Sequence, residues 1–287
     1  MLEVATRKAE PTIPARAWRV EYAEGAIFRA DAVETIEIAE PVKVTALLAP
    51  LNASDALSHT EPETDGSLTV VWLPSAVKTP ATIERDADEW IRAGGARRKE
   101  ANVRADVRTV RILWGEGRAL IYASAGVDIR CALDATSRFS LVQREALTLE
   151  ATMKSAWASI EADSALTHSV TRRQQRRQRH VNEMTEIATR MKVAWLRITN
   201  SLEQLDPTLA ESSKRLFAEL VSSAALYDRL EMLEDPIQFA LDQYELANTR
   251  LIEANQAYKE RFNAVVGYVF EAAIIALLGY QIVNFMK

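Results

Sequence analysis

The sequence has little of the material from which disulfides, metal centres and nucleotide sites are built. Its one cysteine, Cys131, excludes an internal disulfide and a cysteine-rich zinc site. With three histidines and no HExxH, CxxC or GxxxxGK[ST] pattern, the commonest metal and phosphate motifs are excluded as well. The 40 acidic residues outnumber the 35 basic ones, which argues against a globally basic nucleic-acid binder. We therefore expect no metal and no cofactor.

The first residues lack the features of a secretory signal. Glu3, Arg7, Lys8 and Glu10 occur there without a following apolar core of about seven residues. This pattern predicts a flexible tail over residues 1–16 and a chain whose bulk stays in the cytosol.

The longest apolar run lies at the C-terminus. Residues 262–285 contain one ionisable side chain, Glu271, and a helix of this length spans about 36 Å, enough for a hydrocarbon core of about 30 Å. The excess of basic residues before the run favours a cytosolic N-terminal side. We predict one transmembrane helix over residues 262–286 in an inner (plasma) membrane, bacterial or organellar. A buried core helix of a soluble protein is the alternative.

A carboxylate at the centre of a membrane helix costs about 3 kcal/mol, so Glu271 is expected to face protein or water. One interpretation is a protonated or hydrogen-bonded Glu271 in a helix–helix contact, and another is a position near the membrane interface. A third is a ring of Glu271 side chains that lines the pore of an oligomer. The predicted pore-lining or helix-packing residues are Gly267, Glu271, Ile275, Leu278, Gln281 and Asn284.

A long helix is predicted to lead into this segment, over about residues 236–285. Asp235 and Pro236 form a typical helix start. The apolar positions that follow alternate by four and three, as in a coiled coil: Ile237, Leu241, Tyr244, Leu251, Tyr258, Phe262, Val265 and Val269. Asn248 and Asn255 fill the gaps, and asparagine at such positions can fix register and oligomer state. We expect a homo-oligomer.

Charged amphipathic helices are predicted before it, over about residues 139–160, 181–205 and after Asp206-Pro207, together a helical stalk over residues 139–260. The stalk contains a basic patch, Arg172, Arg173, Arg176, Arg177 and Arg179. An anionic lipid or RNA phosphates are candidate partners, and the absence of interleaved aromatic residues weakens the RNA interpretation. The alternative is a solvated connection that pairs with glutamates of a neighbouring subunit.

The N-terminal third, residues 17–135, is predicted to be a mixed α/β cytosolic domain. Strands are expected at 18–22, 33–38, 42–48, 67–73, 107–114 and 118–124, with a short helix at 82–92. Gly115 to Gly117 indicates a hairpin turn. The predicted fold class is therefore α+β, with an N-terminal α/β domain, a long antiparallel helical stalk and one C-terminal transmembrane helix.

No catalytic constellation emerges from the residue spacing. The acidic residues of the predicted helix 82–92 are typical of a solvated face, which is far commoner than a cation site. His168 and His180 have no acid or cysteine at ligand spacing, and Cys131 fits a small core residue better than a nucleophile. We expect no enzymatic activity.

The order of an α/β domain, charged helices and a C-terminal apolar helix resembles the required-for-meiotic-nuclear-division family. The similarity lies in residues 139–171 and 229–283, where a long helix enters the apolar segment; its residues include Leu230, Leu233, Asn248, Leu251, Asn255, Arg261 and Phe262. Glu271 matches the acidic residue that such anchors often carry, although Phe270 stands where the family usually has tryptophan. The resemblance implies machinery that tethers a partner, such as a ribosome in an organelle, to a membrane.

The layout also resembles the CorA-type metal-ion transporters, which combine an α/β cytosolic domain with a long stalk helix that enters the membrane. That family has two spans joined by a Gly-Met-Asn loop. This chain has Gly279-Tyr280-Gln281 and one predicted span, so the resemblance does not extend to that transport mechanism.

These features predict a membrane-anchored, self-associating cytosolic scaffold or tether. Its α/β domain would bind a ligand or a cytosolic protein partner. The alternative is an oligomeric CorA-like ion channel or membrane-perturbing effector whose C-terminal helix lines the pore.

Overall fold

A computed structural model describes residues 16–24, 34–52, 56, 66–74, 89–92, 103–124, 126–167, 177–207 and 209–285, with side chains up to Leu278. The tail predicted over residues 1–16 lies outside these residues apart from Arg16, as does most of the helix predicted over residues 82–92.

The described strands of the N-terminal part form one sheet. They are β1 (Arg16–Ala23), β2 (Glu34–Ile38), β3 (Val44–Leu51), β4 (Leu68–Pro74), β5 (Val103–Val107), β6 (Val110–Gly115) and β7 (Arg118–Ala123). Their spatial order is β2-β3-β1-β4-β7-β6-β5. The central pair β4–β7 is parallel, and the other neighbouring strands are antiparallel. With the long helices that follow, this sheet confirms the predicted α+β class.

The single strand predicted over residues 107–114 is wrong, because the chain reverses direction within it. β5 ends at Val107 and pairs with β6 across a two-residue turn, so that Val107 faces Val110. Arg108 in this turn has a left-handed φ of 53°. Such turns favour asparagine, aspartate or glycine, and none of these occurs at the turn positions 108 and 109. The turn at Gly115 to Gly117 is confirmed, with Gly117 at a φ of 77°.

Both faces of the central strands are covered, and all six residues of β7 are buried. On one face Val71 and Leu120 pack with Trp90, whose indole nitrogen donates to the carbonyl of Ala56 at 3.1 Å. On the other face Trp114 meets Phe139 edge to face, with ring centroids 5.1 Å apart. Burial on both faces explains why β4 and β7 are near-continuous apolar runs and do not alternate.

The described helices are α1 (Val127–Asp163), α2 (Gln178–Glu203), α3 (Glu211–Ser223) and α4 (Leu226–Phe285), with a 3-10 turn (Ser164–Thr167) after α1. The helix predicted over residues 139–160 lies within α1, and α2 begins and ends within three residues of its prediction. α4 has 60 residues, a length of about 90 Å. Its C-terminal part is long and apolar enough to cross a membrane.

Two predicted helix starts are wrong, and the first is Pro236. α4 begins at Leu226, ten residues earlier, so Pro236 lies inside the helix. The break that precedes α4 is at Ala225, which has a left-handed φ of 47°. A proline inside a helix leaves the carbonyl four residues earlier without its donor. Here that residue is Met232, whose side chain is 68% exposed, so water can reach this side of the helix.

The second wrong helix start is Asp206-Pro207, which the sequence predicts to begin the third helix. α3 begins at Glu211, after Ala210, which supplies no side-chain cap. The carbonyl of Asp206 instead accepts the backbone N–H of Leu209 at 3.1 Å. The acid–proline pair therefore belongs to a turn between helices, a role that these residue types also favour.

The chain divides into two compact units. Unit 1 comprises residues 1–150 and 194–233, and unit 2 comprises residues 151–193 and 234–287. The boundaries fall inside α1, α2 and α4. The sheet belongs to unit 1, and the described part of unit 2 is helical.

Candidate functional site

The C-terminal half of α4 exposes a long series of apolar side chains. In the preceding half, Ile237, Tyr244 and Leu251 are fully buried. From residue 252 to residue 278 no described side chain is buried. Tyr268 and Ile275 are each 70% exposed. Contiguous exposed apolar surface is rare on monomeric soluble proteins and marks a membrane or protein interaction site.

The residues predicted to line a pore or to pack against another helix fall in this exposed part of α4. Gly267, Glu271 and Leu278 are exposed, and a Cβ atom added at Gly267 would meet no atom within 4 Å. Gln281 and Asn284 also lie on α4, but their side chains are outside the described residues. The role of all these residues stays a prediction.

The two asparagines of the heptad pattern have different surroundings within one chain. Asn248 accepts a hydrogen bond from the side-chain amide of Gln178, which connects α4 to the first residue of α2. Gln178 also donates to Asn182, one turn along α2, at 3.0 Å. Asn255 is half-buried. The part of either asparagine in oligomer register stays a prediction.

A buried carboxylate, Asp163, connects three segments of unit 2. Its side chain is 1% exposed and accepts a hydrogen bond from Nη2 of Arg177 at 2.6 Å. Its second oxygen lies 2.8 Å from Nε2 of His180 and accepts from the hydroxyl of Tyr244 at 3.1 Å. Burial raises the pKa of Tyr244, and the negative charge of Asp163 raises it further, so the hydroxyl stays a donor. We call these four residues the Asp163 cluster.

One member of the basic patch, Arg177, belongs to the Asp163 cluster. Arg177 is held by Asp163, whereas Arg179 is 91% exposed and pairs with Glu183 at 3.0 Å. The other three members, Arg172, Arg173 and Arg176, lie outside the described residues. The two described arginines are thus each paired with an acid of the same chain, and the lipid or RNA role of the patch stays a prediction.

Sequence reasoning missed the Asp163 cluster, although one signal for it was present. Met153, Ala156 and Ile160 are buried at spacings of three and four, and Asp163 continues this apolar stripe by three. A charged residue at an apolar position of an amphipathic helix needs a buried partner. The partners themselves could not be identified, because His180 and Tyr244 lie on other helices.

The helices of unit 2 pack side by side. α1 runs parallel to α4, and α2 runs antiparallel to α4. The contacting pairs are Trp157–Phe239 and Asp163–Tyr244 between α1 and α4, and Gln178–Asn248 and Lys192–Glu234 between α2 and α4. The amide of Gln243 also donates to the carbonyl of Ile160. These polar contacts therefore fix the register of the helices along an otherwise apolar interface.

Unit 1 contains a cavity of about 310 Å³ where β2, α1, α2 and α3 converge. Its described lining residues are Ala39, Glu40, Arg138, Val142, Ser201, Gln204, Leu205, Asp206, Pro207, Leu209 and Phe217. This lining is mainly apolar with a few charged groups, the usual character of a small-ligand site, and its volume is at the lower end of the range. The sequence carries no motif for it, because the lining comes from segments far apart in the chain.

Arg138 is a charged group of this cavity that is held by several contacts. Its Nε donates to Asp134 at 2.9 Å, and its Nη2 donates to the carbonyl of Glu37 at 2.8 Å. The carboxylate of Asp206 lies 3.9 Å from Nη2. Arg138 and Asp134 are 13% and 15% exposed, so they form a largely buried pair. Arg138 therefore connects α1 to β2 and forms a fixed part of the cavity wall.

No protein-family model matches this sequence, and no characterised protein matches it significantly. The resemblances to the required-for-meiotic-nuclear-division family and to the CorA-type transporters thus stay predictions.

Proposed function

We propose that this protein is a membrane-anchored, self-associating scaffold or tether without enzymatic activity. In this proposal the C-terminal part of α4 crosses an inner (plasma) membrane once, the helices of unit 2 form a stalk in which α2 runs antiparallel to α1 and α4, and unit 1 binds a ligand or protein partner in the cytoplasm. The observation that carries the proposal is the exposed apolar surface of α4 beyond Leu251.

The charge pattern along α4 supports the orientation. Arg250, Lys259 and Arg261 precede the apolar part. Arg250 is half exposed and pairs with Glu253 at 3.2 Å, on the cytoplasmic side of the proposed span. Basic residues near a span are retained on the cytoplasmic side, so unit 1 would lie there as well.

Self-association is supported by the segment of α4 between the buried half and the proposed span. None of the described residues 252–261 is buried within one chain. This part of the continuous helix α4 packs no apolar face within one chain, whereas most of the stability of helices in proteins comes from such packing. Packing of Asn255 and its neighbours against the same segment of a second copy would stabilise this part.

The experiment for self-association is light scattering of the detergent-solubilised protein, with and without residues 262–287. A defined homo-oligomer that persists without the span places the contacts in the stalk, and a dimer is sufficient for a tether. An oligomer of four or more that requires the span favours a channel. A monomer in both forms would contradict self-association.

One observation favours the alternative, an oligomeric channel or membrane-perturbing effector. Glu271 lies near the middle of the apolar part of α4 and is exposed within one chain. A carboxylate in the hydrocarbon region needs protein or water beside it. A pore built from several copies would supply both.

Glu271→Ala separates the two functions. The scaffold predicts an unchanged oligomer and unchanged partner capture, and it predicts loss of capture when Arg172, Arg173 and Arg176 of the basic patch are replaced by glutamine, with Arg177 kept because it pairs with Asp163. The channel predicts the reverse, with ion flux into liposomes lost in Glu271→Ala. Glu260→Ala is the matched control, because Glu260 is an exposed acid of α4 before the apolar part.

A further inference from the structure

We propose that the apolar part of α4 binds a transmembrane helix of another protein, one that carries a lysine or arginine at mid-depth, opposite Glu271. This inference rests on the proposed span, and it adds a membrane partner to the partner of unit 1. Ionisable side chains within membrane spans are rare, and they face protein or water and pair with one another. The surroundings of Glu271 indicate which kind of pair fits.

The chain itself offers no cation at the depth of Glu271. Residues 262–285 contain no other ionisable side chain. The nearest basic residue, Arg261, lies ten residues before Glu271, which is about 15 Å along the helix. Glu271 is exposed within one chain. A positive charge beside this carboxylate must therefore come from another molecule.

A second copy of the chain does not supply that charge. Copies that cross the membrane in the same direction place identical residues at the same depth, so Glu271 of one chain would meet Glu271 of the other. Two carboxylates that share one site disfavour each other's ionised form. A basic side chain on a different span brings the opposite charge to this depth, and the pair removes one unpaired charge of each span from the hydrocarbon. Charge complementarity therefore favours a basic partner.

The face of α4 that carries Glu271 also permits close approach of a second helix. Gly267 and Ala264 precede Glu271 on this face at spacings of four and three. A Cβ atom added at Gly267 would meet no atom within 4 Å, so packing within one chain does not require glycine there. Small residues at such positions let the backbones of two membrane helices approach. Ile274 and Leu278 continue the face after Glu271 and are 55% and 53% exposed.

The pair would act mainly on the choice of partner. A span without a basic residue can pack against Gly267 and Ile274 equally well, but it leaves Glu271 unpaired in the hydrocarbon. A basic span that stays alone carries the same kind of cost. Each helix is therefore penalised in the absence of the other, and this difference between right and wrong partners is what gives specificity.

The experiment uses the full chain in a neutral detergent and three fluorescent synthetic peptides. Each peptide is a span of about 21 leucine and alanine residues with lysine, leucine or glutamate at its centre. The fluorescence retained by the immobilised full chain gives the apparent affinity over a series of peptide-to-detergent ratios. We expect the lysine peptide to bind about tenfold more tightly than the leucine peptide, the effect of one hydrogen bond between charged groups. Equal binding of these two peptides would overturn the proposal. Equal or tighter binding of the glutamate peptide would also overturn it and would assign this face to a second copy.

Two substitutions test the two properties of this face. Glu271→Gln keeps the size of the side chain and removes its charge, so we expect the preference for the lysine peptide to disappear. Glu260→Gln is its matched control, because Glu260 is an exposed acid of α4 before the apolar part. Gly267→Leu keeps the charge and blocks close approach, so we expect loss of lysine-peptide binding. Its control is Ala276→Leu, because Ala276 is exposed and lies on the other side of the helix. An unchanged preference in Glu271→Gln, or equal losses in Gly267→Leu and its control, would overturn the proposal.

Failure of this inference and failure of the proposed span give different results. The distribution of the full chain between membrane and soluble fractions reports on the span alone. A full chain that stays with the membranes but shows no preference for the lysine peptide overturns the basic partner and leaves the span intact. Capture of a partner by unit 1 does not depend on Glu271 and is tested separately.

Discussion

Deletion of residues 262–287 is expected to move the protein from the membrane fraction to the soluble fraction. The apolar part of α4 contains twelve Leu, Ile, Val and Phe residues, which favour insertion by about 4–7 kcal/mol in total. The shortened chain keeps Leu251 and the buried half of α4, so it should still fold. Sedimentation of carbonate-washed membranes measures the distribution. A shortened chain that stays with the membranes, or a full chain that never binds them, would contradict the proposed span.

One added charge in the proposed span should also release the protein from the membrane fraction. The reason is that Glu271 already offsets about 3 kcal/mol of the favourable free energy of insertion. Ile275→Arg adds a comparable cost near the middle of the same segment, and we expect most of the protein to leave the membrane fraction. Leu246→Arg is the matched control, because Leu246 is an exposed apolar residue of α4 before that segment. Equal release of both variants would show that the charge acts on folding and not on insertion.

Asp163→Ala is expected to lower the free energy of unfolding of unit 2 by about 2 kcal/mol, because it leaves the buried hydroxyl of Tyr244 without its acceptor. Arg177 and His180 are 42% and 37% exposed and can be hydrated after the change. The hydroxyl of Tyr244 cannot, because Tyr244 is fully buried. Denaturant unfolding followed by far-UV circular dichroism measures the loss.

Two further variants identify the source of this loss. Tyr244→Phe removes one hydrogen bond and keeps the packing, so we expect it to cost about half as much as Asp163→Ala. Arg179→Ala removes an exposed ion pair with Glu183 and should change the stability by about 0.5 kcal/mol or less. If Asp163→Ala were no more destabilising than Arg179→Ala, the Asp163 cluster would not stabilise unit 2.

Periodicity alone predicted the fold class and the main apolar surfaces. The alternation and the apolar runs of the N-terminal third located most strands, and the heptad spacing identified Ile237, Tyr244 and Leu251, which are buried. These features follow from local spacing along one element. The errors at Val107, Pro236 and Asp206-Pro207 arose where a residue type fits two local structures and the surrounding packing decides between them.

The Asp163 cluster and the cavity of unit 1 could not be predicted in the same way. Asp163 and Tyr244 are 81 positions apart, and the hydrogen bond from the side chain of Arg138 to the carbonyl of Glu37 spans 101 positions. Such pairs depend on how helices and strands are placed in space, for which a single sequence carries no periodic signal. The span remains tied to one local signal, the apolar run itself.

The position of Pro236 inside α4 has a mechanical consequence. A pull on the membrane end of a helix stretches its hydrogen bonds in series, and the helix lengthens first where a bond is missing. In α4 that point is the carbonyl of Met232, which has no N–H to accept from residue 236. Tyr244 lies between this point and the apolar end, and it is bonded to Asp163 at the end of α1. A tether under tension would therefore pass force to α1 through the contacts of Phe239, Gln243 and Tyr244 before α4 began to extend at its proline.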